Sequence, residues 1–308
     1  MNALRQALAD YLVVRRRLGY KLCRPEKLLT QFLTYLEDRG QRHIDTAAAL
    51  AWATQPVGGS QNWWSYRLSA IRGFATYLRT VDPATEVPPT QLLPWRPCRA
   101  TPYLYSAAEI TALLSATANL STPHRVATYR TLIGLLAVTG MRVGEAIALD
   151  HSDFDAPAGV LVIRKGKFGK SRELPLHPST VSALRRYLGR RDRPHSTTGS
   201  PALLVSTAGT RLLYCNVQWT FGRLLRHAGL KPRSAACRPR LHDLRHGFAV
   251  STVLDGYRYD GDPAARLPVL STYLGHVDPA NTYWYLSAAP ELLAFAGRRL
   301  ERHLEGEL

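Results

Sequence analysis

Cysteine is scarce in this chain. There are four in 308 residues, Cys23, Cys98, Cys215 and Cys237, and no two form a Cys-x-x-Cys pair. A chain this long can bury a core without staples, so neither a disulfide framework nor a cysteine zinc site is expected. Reduced thiols in a cytoplasmic protein are the expectation instead. Long apolar runs are missing too. The most apolar stretch, 131–139, falls far short of the roughly 20 residues of a membrane span. No apolar segment of the secretory kind follows Met1. Acidic residues are the third deficit, 23 Asp and Glu against 40 Lys and Arg. Internal repeats and low-complexity runs are absent.

What is there is basic and globular. The net charge is +17, yet 45% of residues are apolar and only 20% are charged, which argues against a disordered basic tail. Such a charge is the footprint of a polyanion binder, most often of nucleic acid. It divides as +7 before residue 103 and +10 after it. Two basic modules on one long polyanion fit this division better than a single basic arm.

The first 80 residues have helical periodicity. Leu4, Leu8, Tyr11 and Leu12 predict one helix; Leu28, Leu29, Phe32, Leu33 and Leu36 predict a second, with Pro25 near its start. A third is expected over 46–54. A fourth, from 60 to about 79, interleaves Trp63, Trp64 and Tyr66 with Arg67, Arg72 and Arg79. Pro83, Pro88, Pro89, Pro94, Pro97 and Pro102 then mark 82–103 as an interdomain linker. Beyond it, Ser106 and Glu109 form a capping-box pattern, and 123–139 reads as an apolar helix. Residues 159–164 and 172–176 read as two short strands joined by a basic loop. Helices are expected at about 178–190, 216–228, 241–254, 267–274 and 290–304. The fold class is therefore mainly α with a small β-sheet, α+β.

Four segments concentrate groups suited to a phosphate. The first is Thr139-Gly140-Met141-Arg142-Val143-Gly144-Glu145, where an apolar helix breaks at glycine. The second is the hairpin Lys165-Gly166-Lys167-Phe168-Gly169-Lys170-Ser171-Arg172. In the third, His242-Asp243-Leu244-Arg245-His246, the i, i+3 spacing places His242 and Arg245 on one helix face. The fourth is Leu274-Gly275-His276, followed nine residues later by Tyr285. Any one of these alone is ordinary: a solvated arginine, a basic hairpin, a structural histidine, a core tyrosine.

Together, in this order and spacing, they resemble the active site of the tyrosine recombinases, the phage integrase family. Arg142 matches that family's first arginine in Thr-Gly-x-Arg-x-x-Glu, and Glu145 matches the acidic residue supporting it. Lys167 matches the hairpin lysine, with Lys170, Arg172, Pro175 and Leu176 completing Lys-x-x-Lys-x-Arg-x-x-Pro-Leu. His242 and Arg245 match His-x-x-Arg, His276 matches Leu-Gly-His, and Tyr285 stands at the nucleophile position. The wording Ser-Thr-Tyr-Leu-Gly-His-Val, then Tyr-Trp-Tyr-Leu, is most similar to recombinases of transposons and other mobile elements.

The resemblance implies a helical, SAM-like core-binding DNA-binding domain at 1–81 and a catalytic domain at 104–308 with a C-terminal helix. It implies cleavage and rejoining of DNA strands through a 3′-phosphotyrosyl intermediate, without metal or other cofactor. The implied partner is double-stranded DNA with specific recombination sites, held by four protomers on two duplexes, with sister recombinases or DNA-bending proteins as further partners. A nucleoid-associated location in a prokaryotic cytoplasm follows. Arg67, Arg72, Lys165, Lys170 and Arg172 are the expected further DNA contacts. Three rivals are weighed against this: a zinc hydrolase using His242 and His246, a non-catalytic DNA-binding regulator, and a type IB topoisomerase. The zinc reading has Asp243 where such sites use Glu, and it gives Arg245 no use.

Overall fold

The computed structural model describes residues 3–55, 57–95, 101–164, 166, 169, 171–195, 199–258, 263–276, 297 and 301. Lys165, Lys167, Lys170, Tyr283, Tyr285 and most of the helix expected at 290–304 lie outside the described residues. The chain divides into two compact units, Met1–Arg99 and Ala100–Leu308.

The first unit holds helices α1 (Ala3–Arg17), α2 (Cys23–Glu37), α3 (Thr46–Thr54) and α4 (Gln61–Leu78). Asp45 and Ser60 accept the exposed N–H groups that open α3 and α4. The apolar stripes meet in a core of Leu29, Phe32, Leu33, Leu36, Leu68, Ile71 and Phe74.

Two arginines expected on DNA are used inside this unit. Arg67 is 7% exposed, with its guanidinium 3.6 Å over the Trp52 ring and donating to the Trp52 carbonyl at 2.7 Å. Arg72 donates from Nε to the Pro88 carbonyl and from Nη2 to the Pro89 carbonyl, both at 2.7 Å. Proline lacks an N–H but keeps its carbonyl acceptor, and Arg72 satisfies two such carbonyls in a row. Both side chains thus serve contacts within the unit, Arg67 buried and Arg72 half-buried.

Part of the expected linker belongs to the same unit. The Glu86 N–H donates to the Ile44 carbonyl at 2.8 Å, and Val87 and Leu93 pack on the first core. At its far end, Tyr103 is buried in the core of the second unit.

The second unit begins with α5 (Ala107–Ala116), opened by the capping box of Ser106 and Glu109. Helix α6 (Pro123–Thr139) follows, capped by Thr122, with Pro123 in its first turn and Leu132, Ile133, Leu135 and Leu136 buried. Short α7 (Val143–Ala148) leads to strands β1 (Phe154–Asp155), β2 (Val160–Ile163) and β3 (Arg172–Pro175). The sheet is antiparallel in the order β1-β2-β3, with Val160 opposite Pro175 and Ile163 opposite Arg172. Strand β1 has two residues, too few to leave a periodic signal. Helices α8 (Pro178–His195), α9 (Tyr214–His227), α10 (Leu241–Arg258) and α11 (Pro263–Leu274) complete the described elements. Helix α11 starts four residues before the sequence suggests and carries Pro268 inside it. Among the described residues no helix is long and apolar enough to cross a membrane.

Candidate active site

Two helices of the second unit open with the same device. At α7, the Arg142 N–H donates to Glu145 Oε2 at 3.0 Å, while its Nη1 donates to Oε1 at 2.8 Å. At α10, the Arg240 N–H donates to Asp243 Oδ2 at 3.0 Å, and its guanidinium reaches Oδ2 at 3.0 Å and Oδ1 at 2.7 Å. In both, a carboxylate three residues into the helix takes an N–H that the helix cannot satisfy. Asp243 is fully buried by this pairing, which is at odds with the zinc-hydrolase reading because both its oxygens are engaged. The shared spacing, Arg-x-x-Glu and Arg-x-x-Asp, is the sequence signal that marks Arg240 as the counterpart of Arg142.

Helix α11 ends where these helices begin. Gly275 adopts φ +69°, its N–H bonds the Thr272 carbonyl at 2.9 Å, and the His276 N–H bonds the Ser271 carbonyl at 3.0 Å. This left-handed cap turns the chain and sets His276 beside the helix end. The next carbonyls each meet a different arginine. Arg172 Nε donates to Tyr273 O at 2.8 Å, Arg245 Nη2 to Leu274 O at 2.8 Å, and Arg142 Nη2 to Gly275 O at 3.4 Å. The last carbonyls of a helix are unpaired and carry its negative pole, so three cations gather there despite their mutual repulsion.

Arg245 is 2% exposed. Its Nη1 donates to the Gly140 carbonyl at 2.8 Å, and its Nη2 lies 2.8 Å from His276 Nε2. Gly140 closes α6 at φ +59°, and a Cβ there would meet Phe248 Cδ1 at 2.5 Å, so only glycine lets the two helices approach this closely. Glu145, 8% exposed, also receives Arg172, from Nη2 to Oε2 at 2.8 Å and from Nη1 to Oε1 at 3.2 Å.

Charge follows from this crowding. Burial would raise the Glu145 carboxyl, yet hydrogen bonds from Arg172 and Arg142 hold it at about 2. Burial, then Arg245, Arg142 and Arg172, push His276 down to about 4. His246 falls to about 3 through burial and the neighbouring His242. His242 is lowered by the protein around it and by Arg245, although its ring still reaches solvent. A cleft of about 450 Å³ opens beside it, lined by Val143, Tyr214, Gln218, Phe221 and Arg240.

Of the catalytic set expected from sequence, the structure brings together Arg142, His242, Arg245 and His276, with Glu145 beneath them. Arg172 joins the cluster as a partner of Glu145, with 12% of its side chain exposed. Among the described residues no group of three or more His, Cys, Asp or Glu is placed to hold a metal.

Residues 105–291 match the phage integrase family. Over 99% of both chains, the protein is 46% identical to a putative integrase/recombinase, y4rB, of Sinorhizobium fredii (strain NBRC 101917 / NGR234). It is 28% identical to the tyrosine recombinase XerD of Caulobacter vibrioides over 84% of this chain and 77% of that one. Among solved structures, the Tn1549 transposon integrase in complex with transposon right end DNA superposes with a TM-score of 0.64 at 16% identity, covering 98% of this chain and 99% of that one. The XerH site-specific recombinase in its post-cleavage complex gives 0.62 at 21% identity, covering 89% and 78%. The chain belongs to the phage integrase family, the tyrosine recombinases.

Proposed function

We propose that the protein is a site-specific DNA recombinase that moves a mobile element by cutting and rejoining strands through Tyr285. The observation that carries this is the gathering of Arg142, Arg245, His242 and His276 at the end of α11. A phosphodiester repels nucleophiles and has a poor leaving group. Arg142 and Arg245 offer forked donors to its non-bridging oxygens and stabilise the charge of a pentavalent transition state. The Tyr285 oxygen attacks phosphorus, and its proton passes to a neutral imidazole, His242 or His276, or to water. The 5′ oxygen leaves with a proton from Lys167, giving a 3′-phosphotyrosine and a free 5′-hydroxyl. Attack by a 5′-hydroxyl from another strand reverses these transfers and frees the tyrosine. The ester bond is conserved, so rejoining consumes no ATP.

Exchange between two duplexes requires four such cuts, and hence four protomers. Lambda integrase has been solved as a tetramer on a Holliday junction. The mobile-element reading is supported by the relatives named integrase and by the transposon integrase of similar fold.

The test is a nicked suicide duplex carrying the element's end. The wild type is expected to form an adduct that survives SDS and maps to Tyr285. Tyr285→Phe should fold and bind DNA without forming it, whereas Tyr283→Phe should retain it. Tyr285 stands nine residues after His276 and Tyr283 seven, and the family spacing after Leu-Gly-His selects Tyr285. An adduct on Tyr283, or none with the wild type, would refute the reading.

A further inference from the structure

We propose that Arg172 is a positioning residue for strand cleavage, fixing Arg142 through Glu145 and the His276 turn through Tyr273 and Gly275. This rests on the recombinase reading above and deepens it.

Three contacts of one planar group carry the inference. Nη1 and Nη2 take the two oxygens of Glu145, the same oxygens that receive Nη1 and the backbone N–H of Arg142. Glu145 is thus gripped from two sides, and neither its rotation nor that of Arg142 is independent of Arg172. The third contact, Nε to the Tyr273 carbonyl, ties the same guanidinium to the last turn of α11.

The fit at Gly275 is an independent observation. A Cβ built there would lie 2.8 Å from Arg172 Nη1 and 3.1 Å from its central carbon, so the guanidinium is seated against the bare Cα of the residue before His276. Leu-Gly-His therefore needs glycine twice, for the positive φ and for Arg172.

Arginine is required by this geometry. Its five donors lie in one plane and reach two carboxylate oxygens and a carbonyl at once, which an ammonium on a flexible stem cannot do. Arg172 also opens β3, five residues after Lys167 in sequence. One side chain therefore fixes the strand leaving the hairpin, the arginine that holds the phosphate, and the histidine turn. The bonds from Nε, Nη1 and Nη2 go to Tyr273 and Glu145, and the alternative from sequence, a phosphate contact through the remaining N–H groups, is separated by the salt slope below.

Single-turnover cleavage at saturating DNA separates these roles. Arg172→Ala is expected to slow adduct formation by about 10²-fold, the cost of misplacing a catalytic group by about 1 Å. Because Arg172 acts largely through Arg142, adding Arg172→Ala to Arg142→Ala should cost far less than it costs the wild type. The slope of log affinity against log salt should be unchanged, since no phosphate contact is lost. Arg172→Lys keeps the charge and should fold, yet remain slow; the cycle is repeated in that variant should alanine unfold the protein. Full multiplication of the two defects, a salt slope smaller by about one, or wild-type rates in Arg172→Lys would each overturn the proposal. A wild type that forms no adduct would refute the recombinase reading itself, so the two failures are distinct.

Discussion

Arg245 and His276 meet at 2.8 Å through Nη2 and Nε2, and the contact assigns the histidine its tautomer. A guanidinium has only donors, so Nε2 must accept and the proton sits on Nδ1. A neutral His276 poised against an arginine can take a proton, but only where an anion offsets the nearby cations.

The pH dependence follows. His276 sits at about 4 when folded against 6.5 as an ordinary imidazole, with Arg245, Arg142, Arg172 and His242 around it. Between these values the unfolded chain binds a proton that the folded one refuses, so stability falls as pH drops from about 6.5 towards 4. His246 adds to the same slope. Urea midpoints measured from pH 7.5 to 4.5 should fall, and fall less in His276→Gln. Identical slopes would contradict the assignment.

Glycine substitutions divide sharply. Gly275→Ala forces a side chain into positive φ and against Arg172, at a cost of about 1–3 kcal/mol. Gly144, inside α7, has nothing within 4 Å of an added Cβ. Gly144→Ala should leave stability unchanged or raise it by up to about 1 kcal/mol. Thermal denaturation of the two variants checks both signs.

Arg67→Ala loses a buried charged hydrogen bond and should destabilise the first unit by about 1.5–3 kcal/mol. Salt titration of DNA binding by the folded fraction should keep the wild-type slope. A shallower slope would restore Arg67 as a phosphate contact.

Lys167→Ala should slow cleavage of an ordinary phosphodiester by about 10²–10⁴-fold. A 5′-bridging phosphorothiolate leaves without a proton, so that substrate should largely restore the rate. Rescue seen with Lys165→Ala or Lys170→Ala instead would move the acid to that residue.

Much of this was legible in the sequence. Helix periods, the capping box of Ser106 and Glu109, and the order of the Arg, His-x-x-Arg and Leu-Gly-His motifs agree with the described elements of the second unit, because each is local. The use of individual arginines was not legible. Arg67, Arg72 and Arg172 read as surface cations, and only their tertiary neighbours, a tryptophan carbonyl, two proline carbonyls and a buried glutamate, reveal them as internal ties. Composition records a positive charge; it does not record which carbonyl that charge faces.

The carbonyls of residues 273–275 come late in the chain, and Arg142 precedes its acceptor among them by 133 positions. Arg142 and Arg245 are therefore synthesised before the turn whose carbonyls they meet. A chain ending before residue 273 would lack the acceptors of Arg142, Arg172 and Arg245, together with His276. Chains stalled before residue 273 should form no covalent adduct, since His276 and Tyr285 both follow that point.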